Sequence, residues 1–482
     1  MRFLDLYIVH LASFGVLQAI STSSIISSTP AVLSEQSGST SSSSSSSNQT
    51  PSSSFTSAIT PNSTQSPTPS FNNTSLEMNQ WSVHDNEAVF NVPKIEITAL
   101  NGDELFVTTD LYLVMAYYSS WLSDILPPDE IDYSRFDIVF YAFIIPDSSH
   151  NLGFAGESPD VLTQLVDHAH KHEKKVLISI GGWTGSAHFS SAVENEEQRR
   201  LFANNIDDFY RKYNLDGIDI DWEYPGRQGD PGNELDSSDS ANFLEFLKLL
   251  RSVLPPNAKI TAAATTLPFA GPAGQPMEDV SEFANVLDWV LLMNYDTWGT
   301  TSNPGPNAPL SDTCNNSTQS ASSAAAGFNA WTNAGFPARQ LVLGLPSYGY
   351  ISESTQTHLR TRSDGPSVSD SDDFTRLKIP EGGDQGSVSV REMVKQGALV
   401  QNGSELTAAG GFTSEWDECS STPFLRSQKA KQVVPFDNAR SIGMKAEFVR
   451  RTRMRGVNFF DLQGDTNSYV LVDAARRVLG RC

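Results

Sequence analysis

The chain has 482 residues, enough for two or three average domains or for one barrel with additions. It contains 33 Lys and Arg against 56 Asp and Glu, which gives a formal net charge of −23 at pH 7. This charge argues against a nucleic acid or an anionic membrane as the partner, because both are bound by basic surfaces.

Residues 1–21 have the pattern of a secretory signal peptide. Arg2 precedes an apolar run over residues 6–20, and Ala19-Ile20-Ser21 offers small residues for cleavage. An uncleaved signal anchor is the alternative. After cleavage we expect no stable membrane insertion, since no other segment is apolar enough to span a bilayer and residues 478–482 lack the hydrophobic tail of a lipid-anchor signal. The pattern predicts a secreted protein.

Residues 22–75 are dominated by Ser, Thr and Pro, a composition that buries too little apolar surface to fold. We expect a disordered stalk of the O-glycosylated kind. Residues 76–110 are a lead-in segment, in which runs 94–98 and 104–108 flank the turn signal Asn101-Gly102 and favour a small hairpin. N-glycosylation sequons begin at Asn48, Asn62, Asn72, Asn73, Asn315, Asn316 and Asn402.

From residue 111 to residue 482, short apolar runs alternate with helical patterns, which predicts a parallel α/β fold. One helix is predicted to begin at Ser158-Pro159, in the capping and first-turn positions, and another at Asp239. Eight such βα units favour a TIM (β/α)8 barrel. A doubly wound open sheet is the alternative, but the sequence has no Gly-rich phosphate loop that would support it. The runs are residues 111–118, 137–145, 175–180, 217–223, 259–265, 287–295, 341–345 and 456–462.

The seventh and eighth runs are separated by about 110 residues, far more than an ordinary βα connection. Residues 351–435 are therefore predicted to form a small insertion, with a short helix over 390–399. The three cysteines, Cys314, Cys419 and Cys482, allow one disulfide and leave one thiol in an oxidising compartment. Their spacing fits no zinc site, and we expect no metal and no cofactor.

The fourth run carries the strongest functional signal. Side chains alternate along a strand, so Asp219, Asp221 and Glu223 would share one face, with neighbours roughly 7 Å apart. Helical patterns on both sides suggest a strand that is covered on both faces. Crowded carboxylates on a covered face raise at least one pKa, as a general acid working near neutral pH requires. A half-exposed antiparallel strand with a solvated acidic face is the alternative.

The pattern Asp216-x-x-Asp219-x-Asp221-x-Glu223 resembles the signature of family 18 glycoside hydrolases, the chitinases and their relatives. The resemblance covers most of residues 111–482. It implies that Glu223 is the general acid and that the substrate's own N-acetyl oxygen attacks the anomeric carbon, an exception to the scheme with two carboxylates. Asp221 would hold the substrate amide, Asp219 would share a proton with Asp221, and Asp216 would be structural.

Two further motifs resemble the same family. Ser179-Ile180-Gly181-Gly182-Trp183 is similar to the Ser-x-Gly-Gly motif, in which Ser179 would bind the buried aspartates and Gly181 and Gly182 would let the backbone pass close to sugar. Met293-Asn294-Tyr295-Asp296 is similar to Met-x-Tyr-Asp, in which Tyr295 would orient the acetyl oxygen and Asp296 would bind the sugar. Tyr117 matches a first-strand tyrosine that supports Asp219. A Gly-Gly turn and an ordinary core role for Met293 are the alternatives.

Sugars stack on aromatic faces, and an aromatic set follows the strand ends: Trp121, Trp183, Trp298 and Tyr348. The eighth run departs from the family, which usually has Trp at the floor of the central subsite, because Phe460 stands there. We expect weaker binding or an altered substrate preference, with the chemistry retained. Tyr350 also stands where many relatives have Arg or His.

The resemblance implies a chitinase of fungal type, extracellular or associated with a cell wall, that acts on chitin or chito-oligosaccharides as a monomer, with endo action expected. It also implies a Cys314–Cys419 disulfide, because similar fungal chitinases carry cysteines in Asp-Thr-Cys and Asp-Glu-Cys-Ser settings. Three other functions stay open: an endo-β-N-acetylglucosaminidase acting on N-glycan cores, a chitin-binding lectin without activity, and a structural wall protein.

Overall fold

The structure is a computed structural model that describes residues 112–359, 374–380 and 386–481. The predicted signal peptide, stalk and hairpin lie outside the described residues, as does Cys482, so these expectations stay predictions. Among the helices of the described ranges, none has the length and apolar character needed to cross a membrane.

Eight parallel strands close into a barrel. Each strand pairs with the next along the chain, and the last strand pairs with the first, so the predicted TIM (β/α)8 barrel is confirmed and the open sheet is excluded. A short strand, Leu152–Phe154, is added antiparallel to the second barrel strand. The barrel strands, named β1 to β8, are Leu113–Ser119, Ile138–Pro146, Lys175–Gly181, Gly217–Asp221, Lys259–Ala264, Trp289–Leu292, Leu341–Pro346 and Gly456–Phe460.

Helices surround the barrel. The predicted start at Ser158 is confirmed, since the side chain of Ser158 accepts a hydrogen bond from the backbone N–H of Asp160 and caps the first helix. The helices of the described ranges, named α1 to α9, are Pro159–Lys171, Phe189–Val193, Glu196–Lys212, Asp239–Val253, Ser281–Ala284, Ala324–Asn333, Val390–Lys395, Ala439–Thr452 and Val470–Val478.

Two apolar layers hold the fold together. Alternate strand residues point into the barrel, where Met115, Phe140 and Leu291 belong to one buried cluster. The other residues of each strand pack outward against the helices in a larger cluster that includes Ile218 and Ile220. Burial on both faces explains why the barrel strands read as continuous apolar runs rather than as alternating ones.

Four barrel strands, β4, β5, β6 and β8, end earlier than the apolar runs predicted, and two of these differences affect the site. The fourth run was expected to extend to Glu223, but β4 ends at Asp221, because the Oγ of Ser186 binds the carbonyl of Asp221 and the N–H of Glu223. The sixth run was expected to reach Tyr295, but β6 ends at Leu292 and the chain then turns. Both departures place functional side chains on the loops that follow the strands.

The described part of the insertion between β7 and β8 includes a four-stranded antiparallel sheet and two two-stranded antiparallel sheets. The predicted helix at 390–399 is the shorter α7, which ends before Gly397, a residue with a φ of 80°. A disulfide joins Cys314 to Cys419, with their Cα atoms 5.2 Å apart. The strands of the larger sheet are Ser352–Glu353, Gln432–Pro435, Thr422–Ser427 and Thr413–Asp417. The two-stranded sheets pair Tyr348–Tyr350 with Ser387–Ser389 and Leu399–Asn402 with Glu405–Ala408.

Candidate active site

A cleft of about 1200 Å³ lies at the carboxyl ends of the barrel strands. This is the end at which barrels of this kind carry their functional groups. Most of the site residues expected from the sequence line the cleft: Trp121, Gly181, Trp183, Asp221, Glu223, Met293, Tyr295, Asp296, Tyr348 and Phe460.

Asp219 lies beneath the cleft floor and is fully buried. The hydroxyls of Tyr117 and Ser179 each donate a hydrogen bond of 2.8 Å to its Oδ2 atom, and the hydroxyl of Thr261 donates one of 2.6 Å to its Oδ1 atom. Burial raises the pKa of Asp219, and the three hydrogen bonds act in the opposite direction without cancelling that effect. The structure therefore builds a polar socket for this carboxyl group inside the barrel.

Asp221 lies two residues after Asp219 in β4 and is 3% exposed. Its Oδ1 atom is buried and has no hydrogen-bond partner among the described residues. Burial, and then the charges of Glu223 and Asp219, raise its pKa well above the usual value. Burial and crowding therefore favour the protonated form of Asp221, whose side chain lines the cleft.

Glu223 follows Trp222, whose indole stacks on Phe189 at a centroid distance of 5.2 Å and fixes the chain against the helical layer. The backbone N–H of Glu223 donates to the Oγ of Ser186 at 2.9 Å. Burial raises the pKa of the Glu223 carboxyl group to about 7, a hydrogen bond to Tyr224 opposes this rise, and the charge of Asp296 adds to it. Such a group can donate and accept a proton near neutral pH.

Asp296 lies across the cleft, on the loop after β6, with a φ of 57°. Its Oδ1 atom accepts hydrogen bonds from the phenols of Tyr348 at 2.6 Å and Tyr350 at 2.8 Å. Its backbone N–H donates to Oδ1 of Asn307 at 2.9 Å. Tyr350 thus orients this carboxylate with a neutral donor.

The family model described as "Glycosyl hydrolases family 18" matches residues 113–465. The chain belongs to glycosyl hydrolase family 18. A protein of Moniliophthora roreri named "chitinase-like effector" is 34% identical over 388 residues, which cover 76% of this chain and 93% of that protein. Chitinase A1 of Niallia circulans is 30% identical over 317 residues, which cover 61% of this chain and 41% of that protein.

Among solved structures, a crystal structure of a chitinase from Rhizomucor miehei is similar, with a TM-score of 0.66 and 29% identity. The match covers 76% of this chain and 99% of that chain. The match therefore spans nearly the whole of that chain and about three quarters of this one.

The remaining family 18 motif residues act through the backbone or lie away from the cleft. Asp216 accepts hydrogen bonds from the backbone N–H of Val176 at 2.9 Å and from His170 at 2.8 Å, at the amino end of β4. A Cβ at Gly181 would lie 2.2 Å from the carbonyl oxygen of Asp221, and Gly182 has a φ of 83°. Both positions therefore require glycine, which lets β3 and β4 approach closely.

The aromatic residues separate into two groups. Trp121 and Trp183 are each 47% exposed, and the Trp121 ring stacks on Phe143 at 5.9 Å. Trp298 packs against Gly305 instead and is not among the described residues that line the cleft. Within the described ranges, no group of three or more His, Cys, Asp or Glu side chains is arranged to hold a metal ion.

Three polar residues of the family 18 site were missed in the sequence: Thr261, Ser186 and Tyr224. Thr261 pairs with Asp219 in the β4–β5 register, so its hydroxyl enters the barrel beside the carboxylate. Its signal was a lone hydroxyl in an apolar run, which is ambiguous because Thr also favours strands for steric reasons. Ser186 and Tyr224 lie on loops, whose course the sequence pattern does not specify.

Proposed function

We propose that this family 18 protein is a secreted chitinase that hydrolyses β-1,4 linkages between N-acetylglucosamine units, with the substrate's acetamido group as the nucleophile. The arrangement of Asp219, Asp221 and Glu223 carries the proposal. It combines a hydroxyl-lined socket, a buried carboxyl group with an open oxygen, and an acid whose pKa is about 7. The chitinases among the relatives and solved structures support the substrate class.

In the first step, Glu223 gives its proton to the glycosidic oxygen and the leaving sugar departs. The carbonyl oxygen of the neighbouring acetamido group forms a bond to the anomeric carbon and gives an oxazolinium ion. The open Oδ1 atom of Asp221 accepts the amide N–H of this group, which orients the amide and stabilises the positive charge. Tyr295, which lines the cleft, directs its hydroxyl to the acetyl oxygen.

In the second step, water adds to the anomeric carbon from the side of Glu223, which now takes a proton from the water as its general base. The bond to the acetyl oxygen breaks and the amide is restored. Two displacements at the same carbon retain the β configuration. The proton shared by Asp219 and Asp221 lets Asp221 adjust its charge between the two steps.

A second candidate function is chitin binding without hydrolysis. One observation favours it: the relative of M. roreri is named a chitinase-like effector. Phe460, where the resemblance implies Trp, agrees with it. The proposed hydrolase is preferred because the four acids of the motif are all present, with the acid, Glu223, lining the cleft.

The test is hydrolysis of N-acetylglucosamine tetramers and hexamers by the full chain, beside Glu223→Gln. We expect the parent to release shorter oligomers and the variant to lose nearly all activity while still binding them. Glu196→Gln, the same change on the exposed surface of α3, is the matched control and should hydrolyse like the parent. Binding by the parent without cleavage would replace the chitinase with the binding protein. Detection of the protein in the medium of the producing cells tests secretion.

A further inference from the structure

The loop from β4 to α4, residues 222–238, folds back over the end of β4. Gly229 packs directly on the backbone of Glu223, since a Cβ at Gly229 would lie 1.9 Å from the Glu223 carbonyl oxygen. At the far end of the loop, the buried carboxylate of Asp239 accepts hydrogen bonds from the backbone N–H groups of Asp236 at 2.9 Å and Gly226 at 3.3 Å. The middle of the loop is therefore held against the proposed acid.

Asn233 fills the gap between this loop and the loop after β3. Its side-chain NH2 group donates one hydrogen bond to the carbonyl oxygen of Glu223 and one to the carbonyl oxygen of Trp183, both at 3.1 Å. The residue is only 9% exposed. The reverse orientation of the amide would place its oxygen against two other carbonyl oxygens, so only the NH2 group can face them.

The backbone of Glu223 is thus held on both sides of its Cα atom. Ser186, from the loop after β3, binds its N–H at 2.9 Å, and Asn233 binds its carbonyl. The same Asn233 amide holds Trp183, whose ring lines the cleft and meets the ring of Tyr224 edge to face at 6.5 Å. One side chain therefore connects the acid to an aromatic wall of the cleft.

We infer that Asn233 is a positioning residue that sets the place of the Glu223 carboxyl group relative to the sugar held beside Trp183. The inference rests on the proposed function, since it concerns the step in which Glu223 protonates the leaving oxygen. Asn233 does not line the cleft; it acts through the backbone of two residues that do, Glu223 and Trp183.

The chemistry gives this role a distinctive signature. A sugar is a poor leaving group and needs full proton transfer, so a displaced acid slows its departure. An aryl group leaves as a stable phenolate and needs little help from an acid. Because a displacement near 1 Å can lower a rate by about 100-fold, we expect loss of Asn233 to slow oligosaccharide hydrolysis by roughly 10- to 100-fold. Hydrolysis of an aryl glycoside should slow by about threefold or less.

The experiment compares kcat for the N-acetylglucosamine tetramer and for the 4-methylumbelliferyl glycoside of its dimer, using the full chain. The variants are Asn233→Ala and Asn233→Asp, the latter of which keeps the size of the side chain but replaces the NH2 group with oxygen. Asn151→Ala is the matched control, because it removes the same kind of side chain from an exposed turn outside the cleft, where the Asn151 amide binds the Asp147 carboxylate at 3.3 Å. It should retain the parent's ratio of the two rates.

A fall in kcat that is confined to the tetramer, in either Asn233 variant, supports the positioning role. Equal falls in kcat for both substrates in both variants would show a general loss of structure and would overturn the role. Unchanged kcat values would also overturn it. If the parent hydrolyses neither substrate, the proposed function itself fails and the inference fails with it. An active parent with insensitive Asn233 variants overturns the inference alone.

Discussion

Phe460 offers a quantitative test of the cleft floor. Its ring lies at the end of β8, with centroid distances of 5.5 Å to Tyr117, 5.9 Å to Tyr295 and 6.4 Å to Tyr348. Aromatic side chains bury roughly 150–250 Å² each, so an indole should cover roughly 40 Å² more of a sugar face than a phenyl ring does. At roughly 25 cal/mol per Å², this area contributes about 1 kcal/mol. Phe460→Trp should therefore lower the Kd for an oligosaccharide about fivefold.

The measurement is titration calorimetry of the N-acetylglucosamine tetramer, made in a Glu223→Gln background so that the ligand is not consumed. Phe460→Leu is the converse control, because it keeps an apolar side chain but lacks a flat face, and it should bind more weakly than the parent. A Phe460→Trp protein that melts at the parent's temperature yet binds no tighter would refute the assignment of Phe460 to the sugar floor.

Two further predictions concern charge. The pKa of Glu223, about 7, is raised by burial and by the charge of Asp296, so the acid form is present below pH 7 and is lost as the pH rises through it. Asp296→Asn should lower that pKa and move the alkaline limb of kcat/KM to lower pH; a limb that stays in place or moves up would contradict the account. Lys445→Met should lower the free energy of unfolding in urea by about 3–5 kcal/mol, since it leaves the buried Asp437 carboxylate without its 2.7 Å partner. Arg200→Met, which breaks an exposed ion pair, should lower it far less, and equal losses would count against the argument.

The barrel could be predicted because its strands are buried on two faces and must be apolar along their length. The row of acids stood out for the same reason, since carboxylates in a covered strand need a specific explanation. The strand ends could not be placed, because apolarity continues past Asp221 while the hydrogen bonds of the ladder do not. Beyond Asp221, the backbone N–H of Glu223 donates its hydrogen bond to the Oγ of Ser186, on the loop after β3, instead of to a neighbouring strand.

The residues that hold the acids in place were harder to predict from the sequence than the acids themselves. Thr261 resembles any strand threonine until the pairing register places it beside Asp219. Asn233 resembles any loop asparagine, because its two partners are brought to it only by the folded loop. Trp298, conversely, looked like a sugar-binding residue from its place after a strand, but the turn directs it against Gly305. Strand register decides the position of Thr261, and loop geometry, which no periodicity encodes, decides the positions of Asn233 and Trp298.

In the proposed mechanism the substrate's acetamido group, and not a water molecule, first attacks the anomeric carbon. The most direct test is the anomeric configuration of the first product released from an N-acetylglucosamine hexamer, followed by proton NMR before mutarotation. We expect the β anomer, because two displacements retain the configuration. Initial release of the α anomer would mean that water attacks directly, and would contradict the roles given to Asp221 and Tyr295.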